Sequence, residues 1–229
     1  MKLIQYNMKN NFLHKYFLNN GGKVIHKWLH YFDIYERYFN QYVDKPILMI
    51  EIGVFKGGSI DMWKEYFGTK SIIVGIDINP DCKKFERKDD GIFIEIGDQS
   101  DVNFLQSVID KYGNPDIVLD DGSHIMNHLI KTFDFLYYKM KESGTYMVED
   151  LHTAYWDEYG GGLKRDNTFI EFSKNKIDEI NAQHSRGHQP ITEFTKTTQS
   201  MHVYDSIIVF EKRPQGKRTH IQTGNISLL

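Results

Sequence analysis

Ile117-Val118-Leu119-Asp120-Asp121-Gly122-Ser123-His124 decides how this chain is read. A short apolar run, suited to a buried strand, stops on two adjacent carboxylates. A Gly-Ser turn then folds an imidazole back towards them. Two other runs end in the same way. Ile47-Leu48-Met49-Ile50 leads into Glu51-Ile52-Gly53, and Tyr146-Met147-Val148 leads into Glu149-Asp150. In an open α/β sheet the carboxyl ends of parallel strands are where ligands sit. Carboxylates gathered there repel one another unless a cation or a polar ligand compensates them. The first cluster reads as cofactor binding, the other two as a divalent-metal site with a general base. Together they imply group transfer onto a hydroxyl.

Outward from these strand ends, the segments 71–76 and 91–96 read as two more strands, running into Asp77 and Gly97-Asp98. Helices are expected near 59–67, from Ser100 or Asp101 to Lys111, and near 126–141, the second of them broken by Gly113-Asn114-Pro115. Strand and helix alternate strictly up to Asp150, the doubly wound α/β pattern. The order then fails. Residues 151–168, with Gly160-Gly161-Gly162, are too many for an ordinary connection. A helix near 168–182 follows, and 200–204 with 207–210 form a hairpin turning at Asp205-Ser206.

Before the first strand, apolar or aromatic residues at 28, 31, 32, 35, 38 and 39 recur at helical spacing. This stripe packs on the domain, or serves as a lid or oligomer contact, with His30 or Tyr31 near ligand. The expected division is an N-terminal helical segment at 1–45, the α/β domain at 46–212 and a mobile basic tail at 213–229.

Composition narrows the partners. The chain has 229 residues, 26% of them charged, and a net charge of −3, so neither a nucleic acid nor an acidic membrane is the expected partner. No apolar run approaches the roughly 20 residues that cross a bilayer. The first eight residues carry no signal-peptide apolar block. Cys82 is the one cysteine, which excludes an intramolecular disulfide and a thiolate metal cage. A cytoplasmic protein is expected.

At the cofactor end, Glu51-Ile52-Gly53-Val54-Phe55-Lys56-Gly57-Gly58-Ser59 is a strand, a glycine turn and a helix start. Glycines there admit close approach of backbone to ligand, and a helix N-terminus offers free N–H groups. Phe55 stands where the dinucleotide fingerprint needs its second glycine, so that fingerprint is absent. Asp77 is placed to accept both hydroxyls of an adenosine ribose, and Asp98 to reach the adenine edge. Glu51 suits a positively charged sulfonium better than a pyrophosphate, while Lys56 argues the other way.

Asp121, Glu149 and Asp150 offer hard oxygen ligands, favouring Mg²⁺, Mn²⁺ or Ca²⁺ over zinc. A bound dication lowers the pKa of an acceptor hydroxyl, and His124 can take the proton near neutrality. His124 as a direct ligand is the alternative. The plainer reading makes Asp121-Gly122 a turn, Glu149-Asp150 helix caps and His124 a loop residue. His152 is close enough in sequence to support the metal ligands.

E-I-G-V-F-K-G-G-S at 51–59, G-I-D at 75–77, G-D-Q-S-D at 97–101, D-D-G-S-H at 120–124 and V-E-D-L-H-T-A-Y-W at 148–156 together resemble one family. It is that of class I S-adenosylmethionine-dependent methyltransferases of the macrocin and mycinamicin sugar O-methyltransferase type. The resemblance runs from about Lys27 to Phe210. It implies a Rossmann-like seven-stranded sheet with helices on both faces and an antiparallel C-terminal hairpin. It also implies S-adenosylmethionine over the first three strands, with Glu51 and Gly53 near the methionine part, Asp77 at the ribose, Asp98 and Gln99 near adenine, and Ser59 among the cofactor-binding residues. Asp121, Glu149 and Asp150 would hold Mg²⁺, and His124 would be the base. Asp120 would lie beside the methyl donor or the substrate. Tyr155, Trp156 and the 160–162 loop would join an acceptor lid.

The expected reaction is methyl transfer to a sugar hydroxyl, yielding S-adenosylhomocysteine. The antibiotic-tailoring members carry a longer N-terminal extension than the 45 or so residues here, so a surface glycan or a nucleotide-activated sugar stands beside a glycosylated natural product as acceptor. A phenol or catechol, or a cofactor-binding module without turnover, is the alternative. A homodimer or homotetramer is expected.

Overall fold

In the computed structural model, which describes residues 11–224, each apolar run becomes a strand. The strands are β1 (Leu48–Ile52), β2 (Ile72–Asp77), β3 (Ile92–Ile96), β4 (Ile117–Asp120), β5 (Thr145–Val148), β6 (Thr198–Tyr204) and β7 (Ile207–Lys212). They form one sheet in the order β3-β2-β1-β4-β5-β7-β6. β1 to β5 are mutually parallel, while β7 runs antiparallel to both β5 and β6. The hairpin turns at Asp205-Ser206.

The helices are α1 (Phe12–Leu18), α2 (Tyr31–Phe39), α3 (Gly58–Phe67), α4 (Val102–Tyr112), α5 (Met126–Lys139), α6 (Phe169–Ile180) and α7 (Glu193–Thr197). One core layer joins Tyr31, Phe32, Tyr35 and Phe39 of α2 to Trp63 and Phe67 of α3 and to one face of the sheet. The other joins Leu105 of α4, Phe133 and Tyr137 of α5, Phe169 of α6 and Phe194 of α7 to the opposite face. Helices thus cover both sides, which keeps β1, β4 and β5 buried along their whole length. Cys82 is a buried free thiol.

The aromatic stripe of α2 is core. Tyr31, Phe32, Tyr35 and Phe39 are each at most 1% exposed, so this helix packs into the domain and presents none of them as an open oligomer face. Asp101 caps α4 by accepting from the backbone N–H of Asn103 at 2.9 Å. Among the described residues, no helix is long and apolar enough to cross a membrane.

Strand order reverses between β1 and β4, whose residues Ile52 and Asp120 are register partners. The crevice outside their carboxyl ends is where an open α/β sheet binds ligand.

Candidate active site

Two cavities meet at that crevice. One, of about 410 Å³, is lined by Lys27, Ser59, Asp121, His124 and Asp150 among others. Its neighbour, of about 270 Å³, is lined by Ile76, Ile78, Asp98, Gln99 and Ile125 among others. Gly53, Asp77 and Gly122 belong to both linings. One lobe is polar and acidic, the other mostly apolar with an acid and an amide at its edge.

Glycine is needed at the waist. Gly53 has φ +95°, and a Cβ there would sit 2.0 Å from the carbonyl oxygen of Asp121. A Cβ on Gly122 would sit 2.2 Å from Gln99 Oε1. Asp77 fastens the loop: one carboxylate oxygen accepts from the N–H groups of Val54 (2.9 Å) and Phe55 (3.0 Å), the other from Asn79 (2.9 Å). Phe55 (φ +51°), His124 (φ +58°) and Asp150 (φ +53°) hold left-handed backbone. Such conformations persist where the surroundings over-determine them, often at functional sites.

Asp121, His124 and Asp150 each offer a ligand atom, all within 4.8 Å of one another. His124 Nε2 lies 3.9 Å from Asp121 Oδ1 and 3.9 Å from Asp150 Oδ2. Its Nδ1 is buried without a hydrogen-bond partner. His152 Nδ1 is 4.0 Å from Asp150 and 2.6 Å from Ser206 Oγ.

Glu149 stands apart from this trio. It is fully buried, with Oε1 accepting from the Tyr35 hydroxyl at 2.6 Å and Oε2 from Lys27 Nζ at 2.7 Å. The same ammonium donates to Asp121 Oδ2 at 2.6 Å. Tyr31 donates to Asp150 Oδ1 at 2.7 Å. Burial opposes the charge of Lys27, yet Asp121, Glu149 and Glu51 outweigh it and hold the amine above its ordinary pKa. Burial, only partly offset by Lys27, raises Glu149 above the usual carboxylate range.

Two expected cofactor contacts lie below the cavity floor. Glu51 is fully buried, accepting from Ser59 Oγ at 3.0 Å and Trp63 Nε1 at 2.9 Å. Asp120, expected beside the methyl donor, is likewise buried and lines neither cavity. It accepts from Gln99 Nε2 at 3.0 Å and from the Tyr146 hydroxyl at 3.4 Å. Burial pushes each up to about 7. Glu51 bonds Ser59 and Asp120 bonds Gln99, and those two neighbours line the cavities.

Tyr31, expected near ligand, does bond Asp150, whereas Lys27 and Tyr35 carry no site signal in the sequence. Tyr31 and Tyr35, four apart on α2, share a direction, while Lys27 lies in the irregular segment ahead of that helix.

No family model matches the chain. Named relatives do. The chain is 34% identical over 199 residues to 8-demethyl-8-alpha-L-rhamnosyl tetracenomycin-C 2'-O-methyltransferase of Streptomyces olivaceus, covering 82% of this chain and 52% of that one. Demethylmacrocin O-methyltransferase of Streptomyces fradiae is 34% identical over 202 residues, 81% and 50% of the two chains. Mycinamicin VI 2''-O-methyltransferase of Micromonospora griseorubida is 33% identical over 198 residues, 81% and 49%. The chain therefore spans about half the length of these relatives. Among solved structures, the MycE methyltransferase of the mycinamycin biosynthetic pathway, in complex with Mg, SAH and mycinamycin VI, superposes with a TM-score of 0.77. That match has 29% identity and covers 89% of this chain and 53% of MycE. Sheet order and these likenesses agree: over about four fifths of its length the chain is similar to class I S-adenosylmethionine-dependent methyltransferases of the macrocin and mycinamicin type.

Proposed function

We propose that this chain is an S-adenosylmethionine- and divalent-metal-dependent O-methyltransferase acting on a sugar hydroxyl of a glycosylated small molecule. The observation that carries the reading is the convergence of Asp121, His124 and Asp150 at the mouth of a two-lobed cavity.

The residues fit the implied groups. The carboxylate oxygens of Asp121 and Asp150 suit Mg²⁺ or Mn²⁺. A glycine-walled waist and an acid at the end of β2 suit an adenosyl ligand. Gly53 and Ser59 would hold the methionine part, Asp77 the ribose, and Asp98 with Gln99 the adenine. Asp121 and Asp150 would hold the dication, with Glu149 joining them once Lys27 withdraws. When bound, the cofactor supplies an electrophilic methyl group and the dication acidifies an acceptor hydroxyl. His124 Nε2 faces the carboxylates and takes the hydroxyl proton, while Tyr31 and Tyr35 keep Asp150 and Glu149 in place. One closed pocket supplies orientation.

The acceptor reading rests on the named relatives and on a third cavity. It measures about 390 Å³, has Leu151, Ile170, Ile177, Met201 and Ile208 in its wall, and has His152 between it and Asp150. Ser173 Oγ, buried and without a partner, belongs to the same wall. Such a space suits an apolar aglycone bearing a polar atom better than it suits a nucleotide. A cytoplasmic location completes the proposal, since a free buried thiol suits a reducing compartment.

Labelled methyl transfer tests it, with aryl rhamnosides, nucleotide sugars and catechols compared before and after metal chelation. Chelator-sensitive labelling of a rhamnoside, restored by Mg²⁺, is expected. Preferential labelling of catechols, or transfer indifferent to chelation, would overturn the reading.

A further inference from the structure

Lys27 has a side chain only 3% exposed, in a residue type that is almost never buried without a partner. Its ammonium sits between two carboxylate oxygens from different strand ends, 2.6 Å from Asp121 and 2.7 Å from Glu149. Nothing about the fold requires a cation there, because both acids already have other anchors. Glu149 is held by Tyr35, and Asp121 is fixed through its backbone N–H to Ile52. What the position does satisfy is the demand for positive charge between two converging carboxylates. That is the demand a dication would meet, and an ammonium donating to both oxygens takes up the space through which it would bind them. Lys27 also lines the larger cavity, so its flexible four-carbon stem has room to withdraw.

We propose that Lys27 is a tethered resident cation which the dication must displace from Asp121 and Glu149, so that metal binding is an exchange of one charge for another. The proposal rests on the metal-dependent reading given above. In the metal-free protein the ammonium keeps two buried-edge acids paired and aimed. On metal binding Glu149 becomes a ligand beside Asp121 and Asp150, and the Lys27 amine moves into the cavity. Lys27 is a positioning residue that weakens metal binding in exchange for an intact empty site.

Two measurements test this without cofactor or acceptor. Free Mn²⁺ is followed by electron paramagnetic resonance at pH 8 in titrations of wild type, Lys27→Met and Lys27→Met/Glu149→Gln. The single variant should bind at least about tenfold more tightly, since removing a nearby positive charge favours an incoming dication. The double variant loses the buried unpaired acid as well as the gain, and serves if the single one folds poorly. It should return to wild-type affinity or weaker. In wild type, acetylation of lysines by an acylating reagent, mapped by mass spectrometry, should rise several-fold at Lys27 on adding Mg²⁺ and stay flat at surface lysines. Wild type that binds Mn²⁺ while Lys27 stays protected, or a Lys27→Met variant that binds no tighter, would overturn the exchange and leave the metal reading standing. Absence of Mn²⁺ binding in every protein would remove the metal reading, and the exchange with it.

Discussion

Tyr35 and Glu149 are 114 positions apart in sequence, and the tyrosine hydroxyl donates to the glutamate at 2.6 Å within the core. Together with Tyr31 on Asp150 and Lys27 on Asp121 and Glu149, it makes the segment ahead of β1 the clamp on the acids behind β4 and β5. Buried carboxylates depend on such donors, because an ionised group without them is expelled towards protonation. Tyr35→Phe removes one donor and leaves the ring. It should cost about 1.5–3 kcal/mol, the worth of a hydrogen bond to a charged group. Urea unfolding of the metal-free protein measures this, and a loss within error of zero would show that Tyr35 merely fills space.

His124 Nε2 stands 3.9 Å from both Asp121 and Asp150. His124→Ala should lower turnover by about 10²–10⁴-fold, the span of general-base assistance. Affinity for S-adenosylhomocysteine, read by calorimetry, should stay within about twofold, since His124 lines the acidic cavity and not the one that holds Asp98 and Gln99. Unchanged turnover removes His124 as the base.

The waist between the two cavities depends on one glycine more than on others of similar backbone. Gly113 has φ +88° and ψ −171°, a region almost reserved for glycine, with open space around it, so Gly113→Ala meets strain alone, about 1–3 kcal/mol. Gly53→Ala meets comparable strain and also the Asp121 carbonyl, which must move. A loss of at least about 4 kcal/mol is expected, in the range reserved for severe disruption. Chemical denaturation of both variants gives the comparison, and similar losses would show that the Asp121 loop yields freely.

Glu51 and Asp120 impose a pH dependence whose sign follows from burial. Each is raised to about 7 in the folded chain, against roughly 4 when unfolded. Between those values the folded state binds more protons, so stability falls as pH rises from about 4 to about 7. Glu86, Glu95 and Asp98 are shifted downward, and their contribution is already complete above about pH 5. Urea midpoints with chelator present should therefore decline from pH 5 to pH 7, and Asp120→Asn should decline less. A rising midpoint in that window would contradict the burial argument.

The strands were legible because apolar runs stop abruptly on acids, and the closing hairpin because Asp205-Ser206 interrupts two β-rich stretches. What a single strand does not disclose is which way its last carboxylate faces. Glu51 and Asp120 look equivalent to Asp121 along the chain, yet both side chains are fully buried and accept from Ser59 and Trp63 and from Gln99 and Tyr146 respectively. α7 escaped notice because five residues give too little periodicity; Thr192 and Thr195 form its capping box. Tyr31 and Tyr35 read as part of an aromatic helical stripe, and Lys27 carries no signal, because their partners lie 94 to 122 positions away, beyond the reach of local pattern.

Paramagnetic relaxation of the S-methyl protons of bound S-adenosylmethionine by Mn²⁺ measures directly whether metal and methyl donor share this crevice. Wild type should show strong broadening of that resonance, lost in Asp121→Asn while the cofactor still binds. A bound cofactor whose methyl resonance is untouched by saturating Mn²⁺ would place the metal elsewhere and contradict the assignment of Asp121 and Asp150.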